Sequence, residues 1–215
     1  MRYRNAIFDM DGVLIDNSEG IMYCARYAIS RLGLDVPGDD VLRKFIGPAL
    51  IYSLKTYAGA TDEQAERGLY IYREKYLTEG IKMYRLYDGI REAAERLHDS
   101  GVRLSVSSGK PQECVDEILR TSGMTELFEL TAGTVFPARV SSKDEQMKRA
   151  VLERPAVMIG DRVFDLECAE NARVDCIFAK YGFGDESDLR GHTPVFIAEK
   201  PADIADFILS DKSDK

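Results

Sequence analysis

The chain has 215 residues, 45% of them hydrophobic and 31% charged, which suits one α/β domain or a core domain carrying a smaller insertion, and is enough to bury a real core. Its formal net charge of −8 argues against binding along a nucleic acid or an anionic membrane surface, since both need clustered Lys and Arg. Cys24, Cys114, Cys168 and Cys176 are scattered without a Cys-x-x-Cys, and His98 and His192 are the two histidines, so a zinc centre is not expected.

The apolar run Asn5–Phe8 predicts a first strand that begins almost at the N-terminus. With no apolar stretch near about 18 residues and no signal peptide, the expected setting is cytoplasmic, with reduced thiols. The strand ends in "DMDGVLID", which sets Asp9 and Asp11 one residue apart, with Asp16 beyond. Like charges at a strand end repel, and at least one must find a cation, a proton or a donor.

From residue 16 to 87 the pattern is helical. Ile21, Ala25, Ala28, Ile29 and Leu32 share one face of a helix from Ser18 that Gly33 stops. Asp39 or Asp40 is expected to cap a short helix ending near "FIGP", and Pro48 to start the next. "TDEQ" at 61–64 has capping-box spacing ahead of a long helix in which Tyr72 and Tyr76 form a packing stripe. This block reads as an inserted all-helical domain.

From Asp88 onward helix and strand alternate: helix 89–101, strand 102–108, helix 111–123 with Pro111 in its first turn, a weaker strand 127–133, and a helix from about Asp144 to Leu152. Strand 156–161, helix 162–172, strand 176–182, strand 194–198 and a helix from Pro201 follow, before a polar "SDKSDK" end. Such alternation implies right-handed crossovers and a doubly wound parallel sheet, with residues 1–15 and 88–215 forming the core and 16–87 the insertion. Ligands of such sheets collect beyond the carboxyl ends of the strands, where Asp9, Ser108 and Asp161 fall.

In "GDRVFD", Asp161 and Asp165 are four apart, and on a helix beginning after Gly160 they would share one face within one turn. Together with Asp9, Asp11, the Ser107-Ser108 pair and Lys143, they suggest phosphoryl transfer. Three or four carboxylates make a hard oxygen site suited to Mg²⁺. A carboxylate nucleophile passing through an aspartyl phosphate splits one difficult displacement into two. Lys143, a Ser108 hydroxyl and loop amides such as that of Gly109 are candidate donors to the nonbridging oxygens. The leaving alkoxide needs a proton and the second-step water must lose one, which makes Asp11 the candidate acid and base.

"DMDGVLID", the serine pair, Lys143 in "SSKDEQMKRAV" and "GDRVFD" resemble, in order, the four motifs of the haloacid dehalogenase superfamily, and the helical insertion resembles its helical cap. "KFIGPAL", "YREKYL" and "YGFG" are similar to the phosphoglycolate phosphatase branch and its nucleotidase relatives. The resemblance implies a Rossmann-like core and Asp9 as nucleophile. It makes Asp11 the acid/base, with its backbone carbonyl on the metal. Ser108 and Lys143 would bind phosphate, Asp161 would ligate Mg²⁺, and Asp165 would be a second ligand or an orienting group. Ser107 and Lys110 are rivals for the phosphate-binding roles; counting back from Lys110-Pro111 favours Ser108. Arg173 stands where the family usually has glycine, with an effect confined to a helix end.

Asp11 argues against a dehalogenase or a phosphonate-cleaving relative, both of which lack an acid there. The expected activity is hydrolysis of a small phosphorylated metabolite, phosphoglycolate- or nucleotide-like, by a monomer or homodimer with no nucleic-acid or membrane partner. Lys44 and Gly47 are candidate substrate contacts, although a solvated lysine and a turn glycine are the simpler reading. A phosphosugar mutase of the β-phosphoglucomutase type and a noncatalytic phosphate-binding regulator are the alternatives.

Overall fold

The computed structural model describes residues 1–135 and 143–210. Ser141, Ser142 and the 211–215 tail lie outside the described residues. The chain forms two compact units, Met1–Ile15 with Leu86–Lys215, and Asp16–Arg85.

The first unit is a six-stranded parallel sheet: β1 Asn5–Phe8, β2 Arg103–Pro111, β3 Leu130–Thr134, β4 Ala156–Gly160, β5 Asp175–Ala179 and β6 Phe196–Ala198. Their spatial order is β3-β2-β1-β4-β5-β6, so strand order reverses at β1, the partner of both β2 and β4. Phe8 pairs with Val106 on one side and Ile159 on the other, and this register brings the ends of the central strands level. β1 and β4 are buried throughout, as expected of central parallel strands.

Between the strands run α5 Ile90–Asp99, α6 Gln112–Thr121, α7 Lys143–Ala150 and α8 Val163–Ala172, and α9 Pro201–Leu209 closes the unit. Helix α5 buries Ile90, Ala93, Ala94 and Leu97, an i, i+3, i+4, i+7 stripe, with charged residues on its other face. Each fully buried Ile or Leu of such a stripe is worth about 1.5–3 kcal/mol. β2 runs beyond the expected 102–108 and loses its regular pairing with β3 between Ser107 and Pro111. Pro111 lies at the N-cap of α6 rather than in its first turn, because its ψ of 140° is extended.

The second unit contains α1 Ser18–Arg31, α2 Asp39–Leu42, α3 Leu50–Ala58 and α4 Asp62–Thr78. The capping box before α4 is complete: Gln64 N–H donates to Thr61 Oγ1 (3.2 Å) and Thr61 N–H to Gln64 Oε1 (2.9 Å). Tyr72 and Tyr76 stack at 5.7 Å, and Asn17 Nδ2 donates to the Tyr76 hydroxyl. Two starts differ from expectation. Gly38, not Asp39 or Asp40, is the N-cap of α2, and α3 begins at Leu50 after an extended Ala49 rather than at Pro48.

Candidate active site

The site is built at the carboxyl ends of β1, β2 and β4, at the reversal of strand order. Asp9 follows β1, and its N–H donates to Ile159 O on β4 (2.9 Å), which ties the two strand ends together. Its side chain is held on both sides. Met10 N–H donates to Oδ1 at 2.7 Å, and Lys143 Nζ, from the start of α7, lies 2.8 Å from Oδ2. The same ammonium pairs with Asp165 Oδ1.

Asp161 and Asp165 converge, though not from one helix face. Helix α8 starts only at Val163, so Asp161 sits at the end of β4, and Asp165 folds back as the capping acid. Asp165 Oδ2 accepts from Asp161 N–H (3.0 Å) and Arg162 N–H (3.1 Å), using donors that a helix start leaves unpaired. Asp188 takes the next one, accepting from Val163 N–H at 2.9 Å and from the Arg162 guanidinium at 3.2 Å. Oxygens of Asp9, Asp161 and Asp165 lie within 4.8 Å of one another, all buried.

Asp11 stands beside this cluster with Lys110 Nζ 3.3 Å from its Oδ2, while its buried Oδ1 has no partner among the described residues. The two lysines are thus divided, Lys143 with Asp9 and Asp165, and Lys110 with Asp11. Ser108 Oγ accepts from Lys110 N–H (3.2 Å), which leaves its own proton free to donate. Ser107 Oγ is buried and unpartnered among the described residues, and Gly109 is exposed. Lys44 and Gly47 belong to the helical unit. Lys44 is exposed with Nζ 5.8 Å over the Tyr57 ring, and Gly47 holds φ 102° in a turn.

The electrostatics follow from packing like charges. Burial pushes the Asp9 carboxyl up to about 7 against the opposing charge of Lys143, with Asp165 and Asp11 adding repulsion. Burial first, then repulsion from Asp165 and Asp9, also lifts Asp161 well above the usual carboxylate range. Burial works against the Lys143 ammonium, but the facing Asp165 and Asp9 outweigh it and hold the group above its ordinary value.

These residues fit a divalent cation. Asp9, Asp11, Asp161 and Asp165 against Lys110 and Lys143 leave an excess of two negative charges if all are ionised, and the donors are hard carboxylate oxygens. Asp161 Oδ1 is buried with no partner among the described residues, an acceptor that only a cation or a proton would satisfy there. Both oxygens of Asp165 already take donors, Oδ1 from Lys143 and Oδ2 from two backbone N–H groups.

Sequence reasoning missed Asp188 and the 181–184 loop as parts of this framework. Phe183 N–H donates to Asp161 Oδ2 at 2.7 Å, and the glycine pair in "YGFG" was the available signal. His98 lies exposed beside Asp99 and His192 pairs with Glu170, both away from the site. The four cysteines are buried thiols, and Cys168 Sγ donates to the Asp165 carbonyl at 3.3 Å.

Haloacid dehalogenase-like hydrolases match this chain over residues 6–179. It is 35% identical over 199 residues to a 5′-nucleotidase of Pseudomonas aeruginosa, covering 90% of each chain. Against a phosphoglycolate phosphatase of Vibrio parahaemolyticus the identity is 24% over 214 residues, 94% of each. Among solved structures, protein tyrosine kinase A of Mycobacterium tuberculosis superposes with a TM-score of 0.84 at 30% identity, over 97% of this chain and 99% of that one. With the family matched over most of its length and the parallel sheet carrying the acidic cluster at its strand ends, the chain belongs to the haloacid dehalogenase-like hydrolases.

Proposed function

We propose that this haloacid dehalogenase-like phosphoric monoester hydrolase cleaves a small-molecule phosphate through an aspartyl phosphate formed on Asp9, with Mg²⁺ as its cofactor. The observation that carries the reading is Asp9 itself, a buried carboxylate fixed by Met10 N–H and Lys143 at the switch point of the sheet. An oriented, partly desolvated carboxylate is a competent nucleophile toward phosphorus.

An Asp9 oxygen attacks phosphorus while the bond to the leaving alkoxide breaks, and Asp11 gives that alkoxide its proton. Asp11 then takes a proton from the water that attacks phosphorus in the second step, which frees Asp9 and releases phosphate. Lys143, the Ser108 hydroxyl and the Gly109 amide neutralise and bind the nonbridging oxygens. Asp9, Asp161 and the Asp11 carbonyl, with Asp165 as ligand or orienting group, would hold Mg²⁺, which would supply the charge neutralisation that a dianionic phosphate needs to approach a carboxylate.

The helical unit acts as a cap that selects the leaving group, with Lys44 and Gly47 as candidate contacts. The identity to a 5′-nucleotidase supports a nucleoside monophosphate, and that to a phosphoglycolate phosphatase supports a small acid phosphate. The acidic net charge of −8 supports a free metabolite rather than nucleic acid or membrane as the substrate.

The test is phosphate release from a panel of both substrate types, with Mg²⁺ and with chelator, by wild type and Asp9→Asn. Metal-dependent release that vanishes in Asp9→Asn is expected. Release that survives in Asp9→Asn refutes the nucleophile. Isomerised product from a sugar phosphate, or labelling of the protein from ATP without release, assigns an acceptor other than water.

A further inference from the structure

Beyond β5 the chain passes through Lys180-Tyr181-Gly182-Phe183-Gly184 and lays bare backbone against Asp161. Phe183 N–H donates to Asp161 Oδ2 at 2.7 Å. A Cβ on Gly182 would stand 2.5 Å from Asp161 Cβ, and one on Gly184 would run into the Asp161 carbonyl. Gly12, at φ +79° and beside Gly182, closes on the same carboxylate, where a Cβ would fall 2.7 Å from Oδ1 and closer still to Cγ and Oδ2. Asp161 is therefore enclosed by two segments, at Gly12 and at Gly182 and Gly184, whose backbones admit no side chain there.

Tyr181 joins these two walls. Its hydroxyl donates to Val13 O at 3.1 Å, in the loop that carries Asp11 and Gly12, and its ring packs edge-on against Tyr87 at 4.9 Å. The result is an asymmetric carboxylate, with Oδ2 committed to an amide and Oδ1 buried and unpartnered among the described residues. A loop needed only for packing could close over an apolar side chain. Here Gly12, Gly182 and Gly184 all close on one acid, and one of its oxygens is left without a partner among the described residues.

We propose that the Tyr181–Gly184 segment is a positioning element that locks Asp161 with Oδ2 tied down and Oδ1 presented as its cation-binding oxygen. The inference rests on reading Asp161 as a metal ligand. Tyr181, Gly182 and Gly184 are positioning residues, since they act through Asp161 and its neighbour Gly12. Partners that orient a ligating carboxylate typically change metal affinity by about 10–100-fold when lost.

The experiment is calorimetric titration of the full-length, chelator-stripped protein with Mg²⁺ alone, without substrate, at a temperature where every variant is folded by circular dichroism. Gly182→Ala is expected to bind about tenfold more weakly or worse, because the new methyl group must displace Asp161 or Gly12. Tyr181→Phe, which keeps the ring and removes only the bond to Val13, is expected to bind about threefold more weakly and carries the test if Gly182→Ala does not fold. Ile208→Val, a packing change in α9 where Arg2 N–H meets the Ile208 carbonyl, is expected to bind like wild type and controls for general destabilisation. Wild-type affinity in Gly182→Ala, or in Tyr181→Phe if that variant alone folds, overturns the proposal. Equal weakening in Ile208→Val overturns it too. No Mg²⁺ uptake by wild type instead overturns the reading of Asp161 as a ligand, and this inference with it.

Discussion

Replacing Lys143 with Met keeps most of the side-chain volume and removes the charge, which isolates the electrostatic contribution of the ammonium to the metal-free fold. Lys143 Nζ lies 2.8 Å from Asp9 Oδ2 and also pairs with Asp165, whose side chain is 1% exposed. Without it, three mutually repelling carboxylates remain buried within 4.8 Å of one another. Removing one partner of a buried pair leaves an uncompensated charge, and such changes cost about 3–5 kcal/mol. For a chain of this size, at about 2–4 °C per kcal/mol, that corresponds to a fall of roughly 6–20 °C in melting temperature. The assay is thermal unfolding in chelator at pH 5 and pH 8. The loss should be larger at pH 8, because at pH 5 Asp9 and Asp161, both raised above the ordinary carboxylate range, shed charge by taking up protons, whereas a pure packing defect would be insensitive to pH. A melting temperature within about 2 °C of wild type at pH 8 would refute the reasoning, since even the low end of the range exceeds it.

The unusual direction of the Asp9 and Asp161 shifts sets the pH dependence of the metal-free protein. Their folded-state values lie above the unfolded ones, with Asp9 near 7, so the folded state holds protons that the unfolded state releases. Stability should therefore fall as pH rises from the ordinary carboxylate range through about 7; a rise of melting temperature over that window in chelator contradicts it. Arg173→Gly should stabilise by about 0.5–1 kcal/mol, because Arg173 holds φ 54° at the end of α8 where glycine bears no Cβ penalty. The Arg154 guanidinium donates to the backbone carbonyls of residues 172 and 173, so those bonds survive the change, and an unaltered denaturation midpoint would count against it. Thr61→Ala should cost about 1 kcal/mol by removing the acceptor for Gln64 N–H, and a loss below about 0.3 kcal/mol in denaturant melts would show that the capping box is not contributing.

What could be read from the sequence was whatever is written in local period and in single residues with one strong preference. The run Asn5–Phe8 is a strand because four apolar or neutral residues in a row suit a doubly covered central position, and Thr61–Gln64 is a capping box because both partners lie within one turn. Local signals were weaker at starts where several residues compete. Asp39 and Asp40 are good N-caps by type, yet Gly38 takes the extended conformation that precedes the helix. Asp161 and Asp165 converge as their spacing suggested, but through a capping contact across the β4–α8 turn, a geometry set by where the strand ends rather than by helical period. Nothing local states that Lys110 meets Asp11, or that residues 181–184 fold over Asp161. Those contacts join segments that are far apart in sequence, and the register of the sheet decides them.

The charge arrangement also constrains the order in which ligands enter. With Asp9, Asp11, Asp161 and Asp165 facing Lys110 and Lys143, the metal-free site is negative or must hold protons. A phosphate dianion entering it would meet repulsion that the lysines, already engaged with carboxylates, cannot fully offset. Neutralising the acids with a divalent cation reverses this and also frees part of the Lys143 interaction for the incoming phosphoryl oxygens. Inorganic phosphate should accordingly bind far more tightly in the presence of Mg²⁺ than in chelator, and by linkage should tighten Mg²⁺ by the same factor. On the proposed function, the same buried acids that weaken the metal-free fold are what would make cation and phosphate bind together.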